Sequence, residues 1–314
     1  MKLLSLIFSF RNEEENIPSL VSRVSKTVEK LNNWKYEMIF VNDDSSDSSE
    51  KLLTELQNKL PIKIINMSRK FGNAPCILAG FDNCSGDCVI YMESDLQDPP
   101  ELIPKLIEKF EKGFDVVHTM RTMRLGESKL QIFLTKMAYR IINKLSYIPL
   151  PLDAGDFKLI SRRAIEHIRN PQEYNPYVRG LSVWVGFKQT FVEYVKELRP
   201  AGKSKFPLFS SVGPTLEFIR GITSFSLAPL YLGIVLGLIT FLFSVILIFY
   251  ALYQKFIGLA VPGATQLLIS ISFFSGIILI TIGISSLYIA RIHEQTRGRP
   301  RYIIKEIKNY KKNE

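Results

Sequence analysis

Charge is what one long stretch of this chain lacks. Between Leu227 and Ala290 of its 314 residues, Lys255 is the only charged side chain. Two uncharged apolar runs, Leu227–Tyr253 and Gln266–Ala290, each exceed the ~20 residues that cross a bilayer as a helix. Gly258, Pro262 and Gly263 between them read as a hairpin turn. A pair of buried core helices is the competing reading, and runs this long and this free of charge disfavour it. Other absences narrow the field. The 3 cysteines, Cys76, Cys84 and Cys88, show no metal-ligand spacing and suit a reducing compartment. Neither GxGxxG nor a P-loop is present, which argues against a glycine-cradled phosphate. No small-residue cleavage site follows "MKLLSLIFSF", and Arg11, Glu13, Glu14 and Glu15 come at once, so the segment does not read as a signal peptide. The net charge of +10 is not gathered into a basic tract with interleaved aromatics. That points away from nucleic acid and toward anionic lipid headgroups.

Flanking charge orients the hairpin. Arg220 precedes it; Arg291, Arg297, Arg299, Arg301 and Lys305 follow it, against one Lys in the connecting loop. The positive-inside rule then places both ends in the cytoplasm. The expected protein is multi-pass, with the segment ahead of the hairpin and both termini on the cytoplasmic side.

Ahead of the hairpin, short apolar runs alternate with helical patterns. Leu3–Phe10, Tyr36–Val41, Ile62–Met67, Cys88–Met92 and Asp115–His118 read as strands. Asn16 is placed to cap a helix in which Ile17, Leu20, Val21, Val24, Val28 and Leu31 recur at helical spacing. Further helices are expected over Ser48–Leu60 and Ala74–Asn83, and from Pro99 to Lys112. This alternation implies an α/β, Rossmann-like fold with a mostly parallel sheet. Ligands bind beyond the carboxyl ends of such strands. Polar residues gather there four times: Arg11–Glu14, Asn42–Asp44, Ser68–Arg69 and Glu93–Asp98. Four clusters in step suggest one pocket. Acids at a strand end suit a hard cation, Mg²⁺ or Mn²⁺, that completes its shell with substrate phosphates. Asp95 is the candidate ligand, whereas Asp98, just before Pro99, reads as a helix cap. Leu130, Phe133, Leu134, Met137, Ala138, Ile141, Ile142 and Leu145 form a helical stripe with Lys129, Lys136, Arg140 and Lys144 off it. That pattern fits an interfacial helix and a core-packed helix equally. Phe206, Leu208 and Phe209 are further candidates to dip into lipid.

The segments "FSFRNEEENI", "FVNDDSSDSS", "SRKFGN", "DLQDPPEL" and "AGDFKLISRRA" together resemble the family 2, GT-A-fold polyprenyl-phosphate glycosyltransferases. The likeness is nearest to bactoprenol glucosyltransferases and more distant to dolichol-phosphate mannose synthase. It extends over nearly the whole chain. It implies a GT-A domain over residues 1–205, a juxtamembrane amphipathic segment over 206–226, two transmembrane helices over 227–290 and a cytoplasmic tail over 291–314. It implies donor contacts from Phe10, Glu13, Glu14, Asp43, Arg69 and Glu93, and a metal held by Asp95 with Gln97. Asp156 falls where the family has a catalytic base or acceptor-orienting acid. Arg121, Arg124, Ser204 and Lys205 fall where the lipid phosphate is met, and Arg121 is also a candidate for the chemistry itself. Five positions depart from the pattern: Glu93 stands for the first Asp of "DaDLQ", Asn42 and Asp44 stand in a "VDDGS" motif, Lys70 in "RNFG", and Lys203 for a Glu.

The implied reaction is inverting transfer of a hexose, glucose from UDP-glucose, to undecaprenyl phosphate by a homo-oligomer such as a tetramer. Mannose, N-acetylhexosamine or aminoarabinose in place of glucose, and a catalytically impaired scaffold, are the alternatives. A processive polysaccharide synthase is disfavoured, because no QxxRW motif is found.

Overall fold

The computed structural model describes residues 1–124, 137–138, 140–151, 154–170, 173–174, 176–198, 213–258 and 263–310. Two compact units emerge: Met1–Gly221 together with Arg299–Glu314, and Ile222–Gly298 between them.

The first unit is built on an eight-stranded sheet. Its strands are β1 (Lys2–Phe10), β2 (Trp34–Asn42), β3 (Ile62–Met67), β4 (Cys88–Glu93), β5 (Val116–Arg124), β6 (Ala154–Ser161), β7 (Gln189–Lys196) and β8 (Ile304–Lys308). They lie side by side as β7-β5-β6-β4-β1-β2-β3-β8. Pairings β1–β2, β1–β4, β2–β3 and β5–β7 are parallel. Those of β6 with β4 and β5, and of β8 with β3, are antiparallel. The five expected strands are present, and the sheet is mixed because β6 inserts between β4 and β5. Strand β5 runs on past His118 to Arg124, which carries Arg121 beyond the core.

Helices α1 (Ile17–Val28), α2 (Ser49–Leu56), α3 (Asn73–Asp82), α4 (Ile103–Glu111), α5 (Arg162–Arg169) and α6 (Val178–Trp184) connect the strands. Sheet alternation decides what each face buries. Leu4, Leu6, Phe8 and Phe10 of β1 join Ile17, Leu20, Val21 and Val24 of α1 and Leu106 of α4 in one core. Each such side chain, fully withdrawn from water, contributes about 1.5–3 kcal/mol. On the other face α3 lies close over β1. A Cβ at Gly80 would collide with Ile7, so only glycine permits that approach.

Two expected caps are not made. Asn16 occupies the N-cap position of α1, but its backbone is already helical (φ −93°, ψ −31°) and its amide donates to Glu13 at 2.6 Å. Asp98 caps nothing: the turn Pro100–Leu102 begins from an extended Pro99, and Asp98 faces inward. Of the basic amphipathic stripe, Leu130, Phe133, Leu134 and Lys136 lie outside the described residues. In the helical stretch over 140–145, Ile142 is buried beside Gly221, while Ile141 and Leu145 are exposed.

After α7 (Gly213–Phe225), the second unit holds α8 (Ala228–Phe256) and α9 (Ala264–Thr296), both long and apolar enough to cross a membrane. Gly233 lets them approach: a Cβ there would stand 2.9 Å from Thr281 Cγ2. The chain then returns to the first unit and ends its described part as β8, an edge strand that the sequence reading treats as tail.

Candidate active site

The four polar clusters do converge at the carboxyl ends of β1, β2, β3 and β4, and hydrogen bonds knit them together. Phe10 itself is core, edge-on to Phe40, and its carbonyl accepts the Asp43 N–H at 2.9 Å. Glu13 is buried, its carboxylate taken by Asn16 and its N–H by Ser49 Oγ. Glu14 accepts the Ser48 N–H at 2.9 Å. Both glutamates thus fasten the first loop to the start of α2. Asp43 accepts the backbone N–H groups of Phe71 and Gly72 at 2.6 and 3.0 Å, which ties the second loop to the third. Arg69 is exposed, its guanidinium 4.2 Å from the Phe71 ring centre. Asn12, Asp44 and Leu96 all adopt positive φ (54°, 59° and 59°). For a buried leucine that is a sparsely populated conformation, of the kind found at functional sites.

Leu96 belongs to a revealing alternation. From Glu93 to Asp98, Glu93, Asp95 and Gln97 are half-buried, while Ser94, Leu96 and Asp98 are buried. The residues with candidate roles therefore share the open side. The loop is held by Ser94 Oγ donating to the Ser9 carbonyl and by the Glu197 N–H donating to the Gln97 carbonyl, both at 2.9 Å. The Gln97 N–H turns back onto Asp95 Oδ1 at 3.2 Å.

Beneath it, Asp98 pairs with Arg121 at 3.4 Å and accepts the Tyr194 hydroxyl, while Arg121 Nε donates to the same hydroxyl at 2.8 Å. This cluster replaces the expected cap: a carboxylate buried beside a guanidinium stabilises more by pairing than by facing a helix end. Gly155 makes room, since a Cβ there would stand 2.9 Å from Arg121 Nη2. Strand β6 pairs Tyr91 with Lys158, and Asp156, two residues earlier on β6, lies near enough to Glu93 to act on its carboxyl. Arg179 of α6 grips Asp156 through two parallel hydrogen bonds of 2.7 and 2.6 Å. Burial alone would raise the Asp156 carboxyl, but Arg179, Lys158 and Arg121 overcome it and hold it at about 2. Glu93 moves the other way. Burial, then Asp95, Asp156 and Asp98, push it up to about 7 against the pull of Arg121. Lys158, buried and donating to Ser182 Oγ at 3.0 Å, is lowered to about 8 by its burial.

Comparison with known proteins places the chain in a family. The family model described as glycosyl transferase family 2 matches residues 5–169. This chain belongs to glycosyl transferase family 2. Among relatives of the transferase, an uncharacterized glycosyltransferase, YkcC of Bacillus subtilis (strain 168), is 38% identical over 304 residues, covering 96% of this chain and 93% of the relative. A prophage bactoprenol glucosyl transferase homolog of Escherichia coli (strain K12) is 38% identical over 310 residues, covering 97% and 99%. Among solved structures, glucosyl-3-phosphoglycerate synthase from Mycobacterium tuberculosis, in complex with Mn²⁺ and UDP-glucose, superposes with a TM-score of 0.45 at 17% identity over 63% of this chain and 73% of that one. That last likeness carries no argument about the site.

Does the transferase fit a divalent cation? Glu93 answers for the donor set: its carboxyl is raised by burial and by the three other carboxyls that crowd it. A cation of charge two beside Asp95 would relieve that crowding. Among the described residues no three His, Cys, Asp or Glu side chains are grouped to hold a metal by themselves. Few protein ligands, with substrate phosphates and water completing the shell, is how Mg²⁺ sites are usually built.

Arg124 closes β5. Ser204 and Lys205, the expected lipid-phosphate residues, lie outside the described residues, as do Lys203, Phe206, Leu208 and Phe209. Sequence reading missed Arg179, Tyr194 and Lys158. No motif marks Arg179, and Tyr194 acts from 96 positions beyond Asp98.

A buried histidine next to this cluster gives the transferase an acid limb. The Gln189 amide donates to the Val183 carbonyl, so its oxygen must face His118 Nε2, which donates at 2.8 Å. His118 Nδ1 is then a buried acceptor without a partner. Burial and nearby Lys158 lower its pKa from 6.5 to about 3. A depressed folded-state pKa contributes stability above the unfolded value and loses it as pH falls toward the folded one. Between pH 7 and pH 5 this group alone costs about 2 kcal/mol. Thermal melts should show the loss, and His118→Gln should lack most of it. An equal loss in both chains would remove His118 as the cause.

Proposed function

We propose that the transferase moves glucose from UDP-glucose to undecaprenyl phosphate at the cytoplasmic face of a bacterial inner membrane, with inversion at the anomeric carbon. The observation that carries this is the reach of the likeness. Identity of 38% to bactoprenol glucosyl transferases runs across 96–97% of this chain, a share that takes in the apolar hairpin.

The geometry supports the chemistry. A lipid phosphate monoester has a second pKa of about 6, so at neutral pH it is already a dianionic nucleophile. Catalysis then consists of bringing two anions together rather than removing a proton. Asp156, ionised and clamped by Arg179, suits orienting a substrate and does not suit general base work. Asp95, with Gln97, would hold Mg²⁺ or Mn²⁺, which when bound offsets the charge of the leaving diphosphate. Glu93 lies on the same side of the loop. Asp43, Glu13, Glu14 and Arg69 shape the donor loops, with Phe10 beneath them. Arg121 balances the carboxylates below the site and, with Arg124, Ser204 and Lys205, is assigned to the acceptor phosphate.

Connectivity supports the membrane topology. The chain leaves the sheet unit at Gly221 and re-enters it at Arg299, and β8 pairs with β3. Two spans, an even number, return a chain to the side it left. The same reading includes assembly as a homo-oligomer, a tetramer in the simplest case, which mass measurement in nanodiscs tests.

Offering membranes that contain the transferase a panel of labelled nucleotide sugars with undecaprenyl phosphate tests the substrate assignment. Label from UDP-glucose should enter the lipid fraction at least tenfold faster than label from mannose, N-acetylhexosamine or aminoarabinose donors, a margin of about 1.4 kcal/mol in transition-state binding. Preference for another sugar would overturn glucose.

A further inference from the structure

We propose that Asn42 is a positioning residue for the loop Asp43–Ser46, and that its amide polarity is dictated by a hydrogen-bond relay beginning at Lys308, on the strand that follows the apolar hairpin. The proposal rests on the reading that this loop meets the nucleotide sugar.

The relay crosses three neighbouring strands. Lys308 Nζ of β8 donates to Glu50 Oε1 of α2 at 2.7 Å. Asn66 Nδ2 of β3 donates to the same oxygen at 2.8 Å. Asn66 Oδ1 accepts from Asn42 Nδ2 of β2 at 3.0 Å. Asn42 Oδ1 accepts the Ser45 N–H at 2.9 Å. Asn42 and Asn66 are both buried and are register partners, as are Asn66 and Glu306. Strand β8 is firmly seated: the Gln57 amide donates to the Lys308 carbonyl at 2.8 Å, and the Ser68 N–H to the Ile303 carbonyl at 2.9 Å.

Each link has one possible direction. An ammonium only donates and a carboxylate only accepts. Glu50 therefore consumes the Asn66 N–H₂, and Asn66 can offer residue 42 only its oxygen. Residue 42 must answer with a donor on that side and an acceptor toward Ser45. Asparagine does both; aspartate does not. With an aspartate at this position, either two oxygens face each other at Asn66 or Asn66 flips and sets its oxygen against Glu50. The first leaves a buried acceptor pair and the second sets two acceptors together at the partly exposed Glu50, and the first is the costlier. This accounts for Asn42 standing where the family resemblance leads one to expect Asp. It also assigns work to the strand beyond the hairpin: it holds the polarity of the donor loop.

The relay predicts its own rescue. In Asn42→Asp combined with Glu50→Gln, the new amide sets its N–H₂ where the shared oxygen stood and donates to a flipped Asn66, while Lys308, partly exposed, keeps the Glu306 carboxylate 3.8 Å away. Asn66 then donates to the new aspartate, and the buried acceptor pair is gone. The test is a double-mutant cycle on the full chain in nanodiscs, reading UDP affinity by calorimetry and Tm. Asn42→Asp should weaken UDP binding by roughly tenfold, and the double variant should return to within about threefold of the parent. A double variant that binds no better than Asn42→Asp, or an Asn42→Asp chain that binds like the parent, would overturn the relay. Should Asn42→Asp fail to fold, the double variant must fold; if it does not, the proposal is wrong. Recovery of Tm without recovery of affinity would also overturn it, since the relay would then hold the fold and not the loop. A parent chain that binds no UDP would instead defeat the donor-site reading, with Tm alone judging the relay.

Discussion

Replacing Asp95 with Ala abolishes sugar transfer, by on the order of a thousandfold, while Glu93→Ala lowers it about tenfold. The difference follows from how the loop after β4 is built. Glu93, Asp95 and Gln97 share its open side, and the buried alternates Ser94, Leu96 and Asp98 anchor it from below. Those anchors are the Ser9 carbonyl, the left-handed turn at Leu96 and the Arg121–Tyr194 cluster. They do not pass through the Asp95 carboxylate, which receives the Gln97 N–H of its own turn. On the proposed function, truncation at 95 takes away the cation ligand while these anchors remain. Glu93 shares the open side of the loop but is not assigned as a cation ligand. Its removal takes away less. Transfer rates and Mn²⁺-dependent UDP binding, measured on both variants, check the order. A larger loss at Glu93 than at Asp95 would reassign the metal ligand.

Asp156→Asn should lower transfer to the lipid about a hundredfold and leave UDP affinity within about twofold of the parent. The carboxylate accepts two guanidinium hydrogen bonds from Arg179, an arrangement that fixes both side chains. Asn keeps one acceptor and turns the other into a donor facing Arg179. The pair frays, and whatever Asp156 orients loses its reference. Arg179 is about a third exposed, so water takes up part of the lost pairing and the fold survives. A Tm drop of only a few degrees beside a large loss of transfer would mark a role in the reaction. The pH profile separates the two roles for Asp156. Held at about 2, it stays ionised throughout the neutral range, so transfer should show no acid limb from it above about pH 4. Undiminished transfer by Asp156→Asn would remove this residue from the chemistry.

Much of this architecture is legible in the residues themselves. The first five strands and the hairpin stand out because each apolar run meets turn residues or charge at its ends. The convergence of Glu13, Asp43, Arg69 and Asp95 follows from parallel-sheet geometry alone. What stays hidden depends on distant partners. Strand β6 buries Asp156 and Lys158, two charges no apolar pattern would predict, because Arg179 and Ser182 await them. Strand β8 is five residues with three charges, and it reads as tail until Gln57 and Glu50 are seen to receive it. Asp98 before Pro99 has the spacing of a cap, and only Tyr194 and Arg121, from two other strands, draw it inward. Asn42 reads as a departure from a motif; its meaning lies in Asn66 across the sheet.

The central claim is tested most directly by giving the purified full chain, in nanodiscs containing undecaprenyl phosphate, UDP-glucose labelled in the sugar. The chloroform-extractable product should be a glucosyl phosphate lipid of β configuration, inverted from the α-linked donor. Its formation should stop on chelation and resume with Mn²⁺ or Mg²⁺. Label that appears only as free glucose, or a lipid product that retains the α configuration, would contradict the account.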